Sequence, residues 1–519
     1  MRIQRYLALG LAWLSLAPWA LSQNVSSINK VPDRIERTAH QLTHALRRQG
    51  FDVTRRGYFR LWGSVESCAF TVAQLGRCFG PNPAAPYVTF TVPAWPGEFV
   101  DSNSNMFAPS PAGYHDVIRF DPREAIVILA QMPPPARYFS VQSFIWSRQG
   151  TYDTNSTTYK DIAADPDLNF LLPVLFRTVN ALHPERVLVW ASLSNPINNV
   201  VMQGRSGVPF NRLRYFIITP DDVMNRAIRD AFADISVEDN DIFTEHIPSN
   251  MNFGLDEAAD DFDTLIRYAQ PDDGGAVGTP SDTWRKNLPM VVLRVRDVSN
   301  RAPQPYPPEV LERRTAFNEY KLQSDLFSLV SAVHRRWTGQ PCADADCSDV
   351  AHSFRDLQMA PISLVGPLCL PIGENCLGDN QDTTYQVNFP ISLDHGEIYA
   401  VAGTLGTETG NATYVGFGLN QMPLMIGVKN LSDGDLKGTA TAYAGQVKHT
   451  GKFFLYYFTR DCSGLEDLTD NHCLEIDETM VPSGDQVVFS IRDYVRPGTE
   501  RGPDSSKVLP PMLMPVQRP

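Results

Sequence analysis

Positive charge is scarce in this 519-residue chain: 45 lysines and arginines face 58 aspartates and glutamates, for a formal charge of −13 at pH 7. An acidic chain is repelled by phosphate backbones, and no basic stripe with interleaved aromatics runs through it, which excludes nucleic acid as a partner. Long apolar runs are missing after Ser22, so no membrane span is expected once the N-terminal segment is removed. The familiar catalytic strings are missing as well. No GxSxG occurs, and the nearest string, Gly204-Arg-Ser206-Gly207, has the wrong spacing for a nucleophile elbow. Without a Walker loop or a GxGxxG, a nucleotide cofactor has no handle. The absence of any CxxC spacing argues against a zinc cluster. His40 and His44 share a helix face, but the intervening Gln-Leu-Thr lacks the glutamate a metalloprotease would use, so they read as a solvated face. No cofactor and no metal are expected, and there is no repeat period.

What is present speaks first of compartment. Arg2 and Arg5 precede an apolar run from Tyr6 to Ala20, and Ala20-Leu21-Ser22 offers small residues at a cleavage site, so residues 1–22 read as a signal peptide. Pro18 interrupts that run, which is shorter than the roughly 20 residues of a span. The 8 cysteines fall as close pairs: Cys68 with Cys78, Cys342 with Cys347, Cys369 with Cys376 and Cys462 with Cys473. An even count in an exported chain reads as a disulfide set. Nearest-neighbour pairing is adopted from among the roughly 105 connectivities that eight cysteines allow. Each short loop so closed contributes on the order of 2–3 kcal/mol by restricting the unfolded chain. Asn24, Asn155, Asn411 and Asn430 head N-x-S/T sequons and would accept glycans in a eukaryotic host. The address is secreted or extracytoplasmic: extracellular, cell surface or periplasm.

The 40 prolines and 34 glycines favour turns and a loop-rich, β-weighted fold. Asp33 to Gln49 has helical spacing at Ile35, Leu42 and Leu46. Tyr87–Val92 and Tyr138–Trp146 alternate as half-buried strands do, whereas Ile126–Ala130 is continuous and fits a strand buried on both faces. Between Arg214 and Asp297 a strand, a helix and a later strand suggest a small α+β unit. Its helix would be capped by Thr219, with Pro220 at the first position. A Pro-rich joint, Pro303 to Pro308, leads into a long helix read from Glu309 to Trp337. Short strands then recur at sandwich-like spacing, Thr439–Tyr443 among them. The expected fold class is β-rich α+β, with two β-sandwich-like regions flanking a small α+β unit and a long helix. The corresponding segments are 23–205, 206–302, 303–340 and 341–496, and residues 497–519, polar and Pro-rich, read as a disordered tail.

Candidate chemistry is thin. Asp394-His395-Gly396-Glu397 is the densest acid/His cluster; on a loop before a strand it could serve acid/base work, or it could be a polar turn. Asp256 to Asp263 carries several acids without a Gly-anchored calcium loop and reads as a solvated acidic face. Arg137-Tyr138-Phe139 and Phe144-Ile-Trp146-Ser-Arg148 could stack a ligand from an exposed sheet face or fill a core.

The succession Cys78-Phe-Gly-Pro-Asn-Pro83, Ala136-Arg-Tyr-Phe-Ser-Val-Gln142, Pro209-Phe-Asn-Arg212 and Phe458-Thr-Arg-Asp-Cys462 resembles secreted multi-domain proteins of unassigned function. The resemblance implies a shared multi-domain extracellular fold and transfers no catalytic residue. Two functional expectations stand. The first is a secreted, disulfide-containing protein that binds a small-molecule, glycan or protein ligand; the second is a secreted hydrolase with a non-local acid/His site using Asp394, His395 or Glu397.

Overall fold

The computed structural model describes residues 29–312 and 314–517, so the signal segment and Asn24 lie outside it. The fold is β-rich α+β, and its strands assemble into four sheets that form two layered halves. In the N-terminal half, a five-stranded sheet is ordered 52–53, 290–296, 124–131, 213–219, 242–246. It packs on an eight-stranded sheet whose main path is 58–62, 87–93, 261–271, 136–149, 186–192. The central strand Glu124–Gln131 explains the continuous apolar run read at 126–130. Ala125, Val127 and Leu129 face the helices Asp33–Arg48 and Asp222–Asp234, while Ile126, Ile128 and Ala130 face the second sheet. With both faces dry, alternation disappears from the sequence.

The C-terminal half repeats the layering. Helix Gln323–Thr338 lays Leu326, Leu329, Val330, Val333 and Trp337 on Ile398, Ala400, Leu455 and Tyr457 of a five-stranded sheet. The other face of that sheet meets a six-stranded sheet through Val401, Phe454 and Phe458 on one side and Phe417, Phe489 and Ile491 on the other. The rings of Phe458 and Phe489 stand 4.6 Å apart. The halves meet where Tyr138 of the eight-stranded sheet packs on Tyr414 and Tyr494 of the six-stranded one, the Tyr138 and Tyr494 ring centres 5.1 Å apart; the rest of the outer face of the eight-stranded sheet is covered by helix Val65–Leu75, Phe79 and Phe107. The disulfides pair nearest neighbours: Cys68–Cys78, Cys342–Cys347, Cys369–Cys376 and Cys462–Cys473.

Several sequence expectations are corrected. Segment 206–302 is no separate unit: it supplies strands 213–219, 242–246 and 290–296 to one sheet and 261–271 to the centre of the other, so residue 205/206 is not a boundary. The tail is not disordered, because Met512–Val516 pairs with residues 398–402; Met512 and Met514 pack under the long helix. The prolines that suggested disorder do not break the ladder, since Pro515 lies within the strand opposite Tyr399. The long helix begins at Gln323, not Glu309, because 309–312 and 314–318 form no helix; Glu309 accepts a hydrogen bond from the Asn195 amide (2.7 Å). Thr439–Tyr443 is a turn ending in a short 3-10 helix. The cap of helix Asp222–Asp234 is Asp221, since Thr219 Oγ1 is committed to the Glu124 carbonyl (2.7 Å). Cys369–Cys376 lies in the core of the N-terminal half, although its sequence position follows the long helix.

Candidate functional site

The joint between the halves holds two contrasting regions. The first grows from strand Gln486–Tyr494, in which period two sends Val487, Phe489 and Ile491 into the sandwich core. Val488, Ser490 and Arg492 therefore project from the outer face and line a cleft against the N-terminal half. Opposite them stand Phe79, Gly80, Phe170 and Leu171, and the segment that carries Leu357, Leu364 and Leu377 closes the side. The cleft encloses a cavity of about 70 Å³, below the roughly 300–1,000 Å³ of a drug-sized ligand pocket and suited to a small molecule alone. A far smaller void of about 10 Å³, room for about one water, lies between residues 81–83 and 429–430 and shares Gly80, Asn420, Ser490 and Arg492 as a common wall.

Hairpin 414–432 fixes this wall in place. At its tip the carbonyls of Leu424 and Met425 accept hydrogen bonds from the amides of Cys78 (2.8 Å) and Gly80 (2.7 Å). The Cys68–Cys78 bridge ties that receiving segment to helix Val65–Leu75. Gly427 is required by the approach: a Cβ there would sit 1.9 Å from the Pro81 carbonyl oxygen. Within the wall, Arg492 donates from Nη2 to the Gly80 carbonyl (2.9 Å) and lies 5.5 Å from the centre of the Tyr385 ring. Its Nε has no partner. Burial pushes the Tyr385 phenol above its ordinary pKa, which keeps that ring neutral. Asn420 Nδ2 donates to Ser490 Oγ (3.3 Å).

The second region is a polar seam formed by residues 378–385. The Asp382 carboxylate accepts from Tyr138 Oη (3.0 Å) and Asn198 Nδ2 (2.9 Å) and pairs with Arg501 (3.3 Å). Asp379 accepts from the Ser192 amide and hydroxyl (both 2.7 Å), the Gly366 amide (2.9 Å) and Gln381 (2.7 Å). Burial raises the pKa of both acids.

The residues singled out in the sequence fall elsewhere. Asp394 and His395 are exposed; His395 faces only Glu478 (3.7 Å), and Glu397 Oε2 accepts from the Asp394 amide (2.7 Å). That is a solvated, self-capped turn, and Asp394, His395 and Glu397 line none of the cavities described above. His40 and His44 are exposed on their helix. Of the acids of 256–263, Asp256 and Glu257 are exposed, but the rest are not a solvated face: Asp260 pairs with Arg148 (2.7 Å), Asp261 with Arg119 and Arg186, and Asp263 is buried beside the Trp190 indole. Strand 261–271 lies at the sheet centre, where a buried acid either finds a cation, as Asp261 does, or has its pKa raised by burial, as Asp263 does. Tyr138, Phe144 and Trp146 are fully buried. Among the sequons, Asn155 is exposed and Asn430 half-buried, whereas Asn411 is buried with its amide donating to the Phe317 carbonyl and Glu319, which leaves no room for a glycan. Among the described residues no group of three or more His, Cys, Asp or Glu side chains converges as a metal site.

Arg492, Ser490, Asn420 and Tyr385 were missed. The one available signal was Ser490 and Arg492 alternating with apolar residues in a strand, which marks an outer face without saying what it meets. A third polar cluster surrounds Glu245, which accepts from the Ser143 amide (2.8 Å), Ser143 Oγ and Ser194 Oγ (both 2.7 Å). Burial lifts its pKa to about 7. It is enclosed between the sheets of the N-terminal half and contains no histidine, and its hydroxyls are spent as donors to the carboxylate. A larger depression of about 620 Å³ beside Cys342–Cys347 is lined by the exposed Ser324, Ser328, Arg335 and Asp344.

No family model matches the sequence, and no curated protein matches it either. Among solved structures, an uncharacterized protein from Burkholderia cenocepacia aligns over 93% of this chain and 87% of its own, at 10% identity and a TM-score of 0.37. A protein from Vibrio parahaemolyticus aligns over 77% of this chain and 87% of its own, at 10% identity and a TM-score of 0.31. At these scores neither likeness carries an argument about the fold or the site.

Proposed function

We propose that this chain is an extracytoplasmic binding protein that holds a small apolar molecule in the cleft between its two halves. The disulfides suit an extracellular or periplasmic address, and among the described residues no helix is long and apolar enough to cross a membrane. The observation that carries the reading is the cleft itself: walls of Leu357, Leu364, Leu377, Val387, Met422 and Met425, drawn from several loops and strands, surround a few converging polar groups. Such a composition is the mark of a ligand pocket; a packed joint would close it. Catalysis has less support, because a nucleophile beside an accessible base is what a hydrolase needs. Neither the cleft nor the turn at 394–397 offers that pair among the described residues; His395, the histidine of the turn, stands in solvent.

The test uses the neutral, environment-sensitive dye N-phenyl-1-naphthylamine with the purified chain. Enhanced, blue-shifted emission is expected with the wild type, and Leu364→Trp or Val488→Trp should abolish it by filling the cleft while circular dichroism stays native. Emission that is absent, or unchanged in both folded variants, overturns the reading.

A further inference from the structure

The charge pattern of the cleft narrows the ligand. The chain has 58 acids against 45 basic residues, yet no carboxylate lines either the cleft or the adjoining void. Arg492 lies on the wall of both, and Lys429 on the wall of the smaller one. In so acidic a protein, a cation and no anion on the wall of the cleft require a reason.

Arg492 sharpens the point. Arg119 and Arg186 face Asp261, Arg294 faces Glu98 and Glu124, and Arg501 faces Asp382. Arg492 makes no ion pair among the described residues, and its contacts are a carbonyl, an aromatic ring and the neighbouring tyrosines. A guanidinium is always charged and carries five N–H donors in a planar fork. Held away from bulk water without a counter-ion it is costly, and an arriving anion relieves that cost through short, charge-assisted hydrogen bonds. Ser490 stands beside it, already accepting from Asn420, so its own O–H is free to donate as well. Everything beyond this polar corner is apolar.

We infer that the ligand is a small apolar monocarboxylate, its carboxylate held by Arg492 with Ser490 and its hydrocarbon body lying among Leu357, Leu364, Leu377 and Met425. This rests on the cleft reading above and adds the anion. The planar fork of a guanidinium suits a planar two-oxygen group, which is why a carboxylate is favoured over a simple alcohol or amide.

The experiment compares octanoate with octanol, which share a chain length and differ in the head group, as displacers of N-phenyl-1-naphthylamine at pH 7.5. The wild type should bind octanoate at least tenfold more tightly than octanol. In Arg492→Leu that ratio should fall to near one, and Arg492→Lys, which keeps the charge but not the fork, should give an intermediate ratio. A wild-type ratio near one, or a ratio that survives in Arg492→Leu, overturns the carboxylate assignment while the cleft reading stands. Failure of dye and both displacers to bind the folded wild type overturns both. Should Arg492→Leu not fold, Ser490→Ala and Arg492→Lys decide: an undiminished octanoate preference in both contradicts the assignment.

Discussion

Within the joint between the two halves, the seam and the cleft bury charge in opposite ways. In the seam, Asp382 has a tyrosine, an asparagine and an arginine around it, and Asp379 has two backbone amides, a hydroxyl and a glutamine. In the cleft, Arg492 has one carbonyl, the Tyr385 ring and the neighbouring tyrosines, and no carboxylate. A charge whose partners come from both halves fixes their arrangement. A charge left without a counter-ion at the edge of a hollow does little for stability, and such departures from full satisfaction concentrate at functional sites. The seam therefore holds the halves together, and the cleft uses the rigidity so gained.

The largest effect should come from the seam. Asp382→Ala leaves Arg501, Tyr138 and Asn198 without their shared acceptor, and breaking a buried pair of this kind costs about 3–5 kcal/mol, read as a lower urea midpoint. Asp382→Asn, which keeps one acceptor, should lose less. A comparable but pH-dependent effect belongs to Glu245, which has donors around it but no cation. Its carboxyl is held up to about 7 against an ordinary 4.5, with burial as the cause. The folded state thus binds that proton more tightly than the unfolded state. Stability falls as pH rises from about 4.5 to about 7 and levels off above that. The swing is about 3 kcal/mol. Glu374, raised to about 8 by burial alone, adds a slope of the same sign. Urea midpoints at pH 5 and pH 8 should differ less in Glu245→Gln than in the wild type; an equal difference would show that Glu245 does not titrate in this range.

Smaller still is the effect of moving the wall. Gly427→Val places side-chain atoms where the Pro81 carbonyl stands, and overpacking of this kind costs about 1–3 kcal/mol. Dye binding should weaken along with it, because the hairpin that carries the cleft wall is pushed from its seat on Cys78 and Gly80. Retained binding at wild-type strength would mean that the hairpin tip does not shape the cleft. The smallest change in stability is expected at Arg492→Leu, within about 1 kcal/mol of the wild type in either direction, since replacing a poorly paired buried cation with an apolar group is often neutral or stabilising.

The sequence made some parts of this legible. Cysteine spacing was enough for the pairing, since each partner is the nearest cysteine along the chain. The stripe Leu326, Leu329, Val330, Val333, Trp337 located the helix that covers the second half, and the unbroken run at 126–130 marked a strand dry on both faces. What stayed hidden depends on contacts between distant segments. Met512–Val516 reads as part of a polar, Pro-rich end until strand 398–404 is beside it. The acids at 260, 261 and 263 read as solvated until Arg148, Arg119 and Arg186 close on two of them from other strands. His395 drew attention because its acids are adjacent in sequence, and that adjacency is what makes the group a turn. Arg492 drew none, because its meaning comes from the carboxylates that are missing around it, and no local pattern records an absence in space.

The central claim is that Asp382 is structural and Arg492 is not, and the direct measurement is urea unfolding of Asp382→Ala and Arg492→Leu side by side at pH 7.5. The expected result is a loss of about 3–5 kcal/mol for the first and a change within about 1 kcal/mol for the second. A loss in Arg492→Leu as large as that in Asp382→Ala would contradict the claim, and would place Arg492 among the groups that hold the halves together.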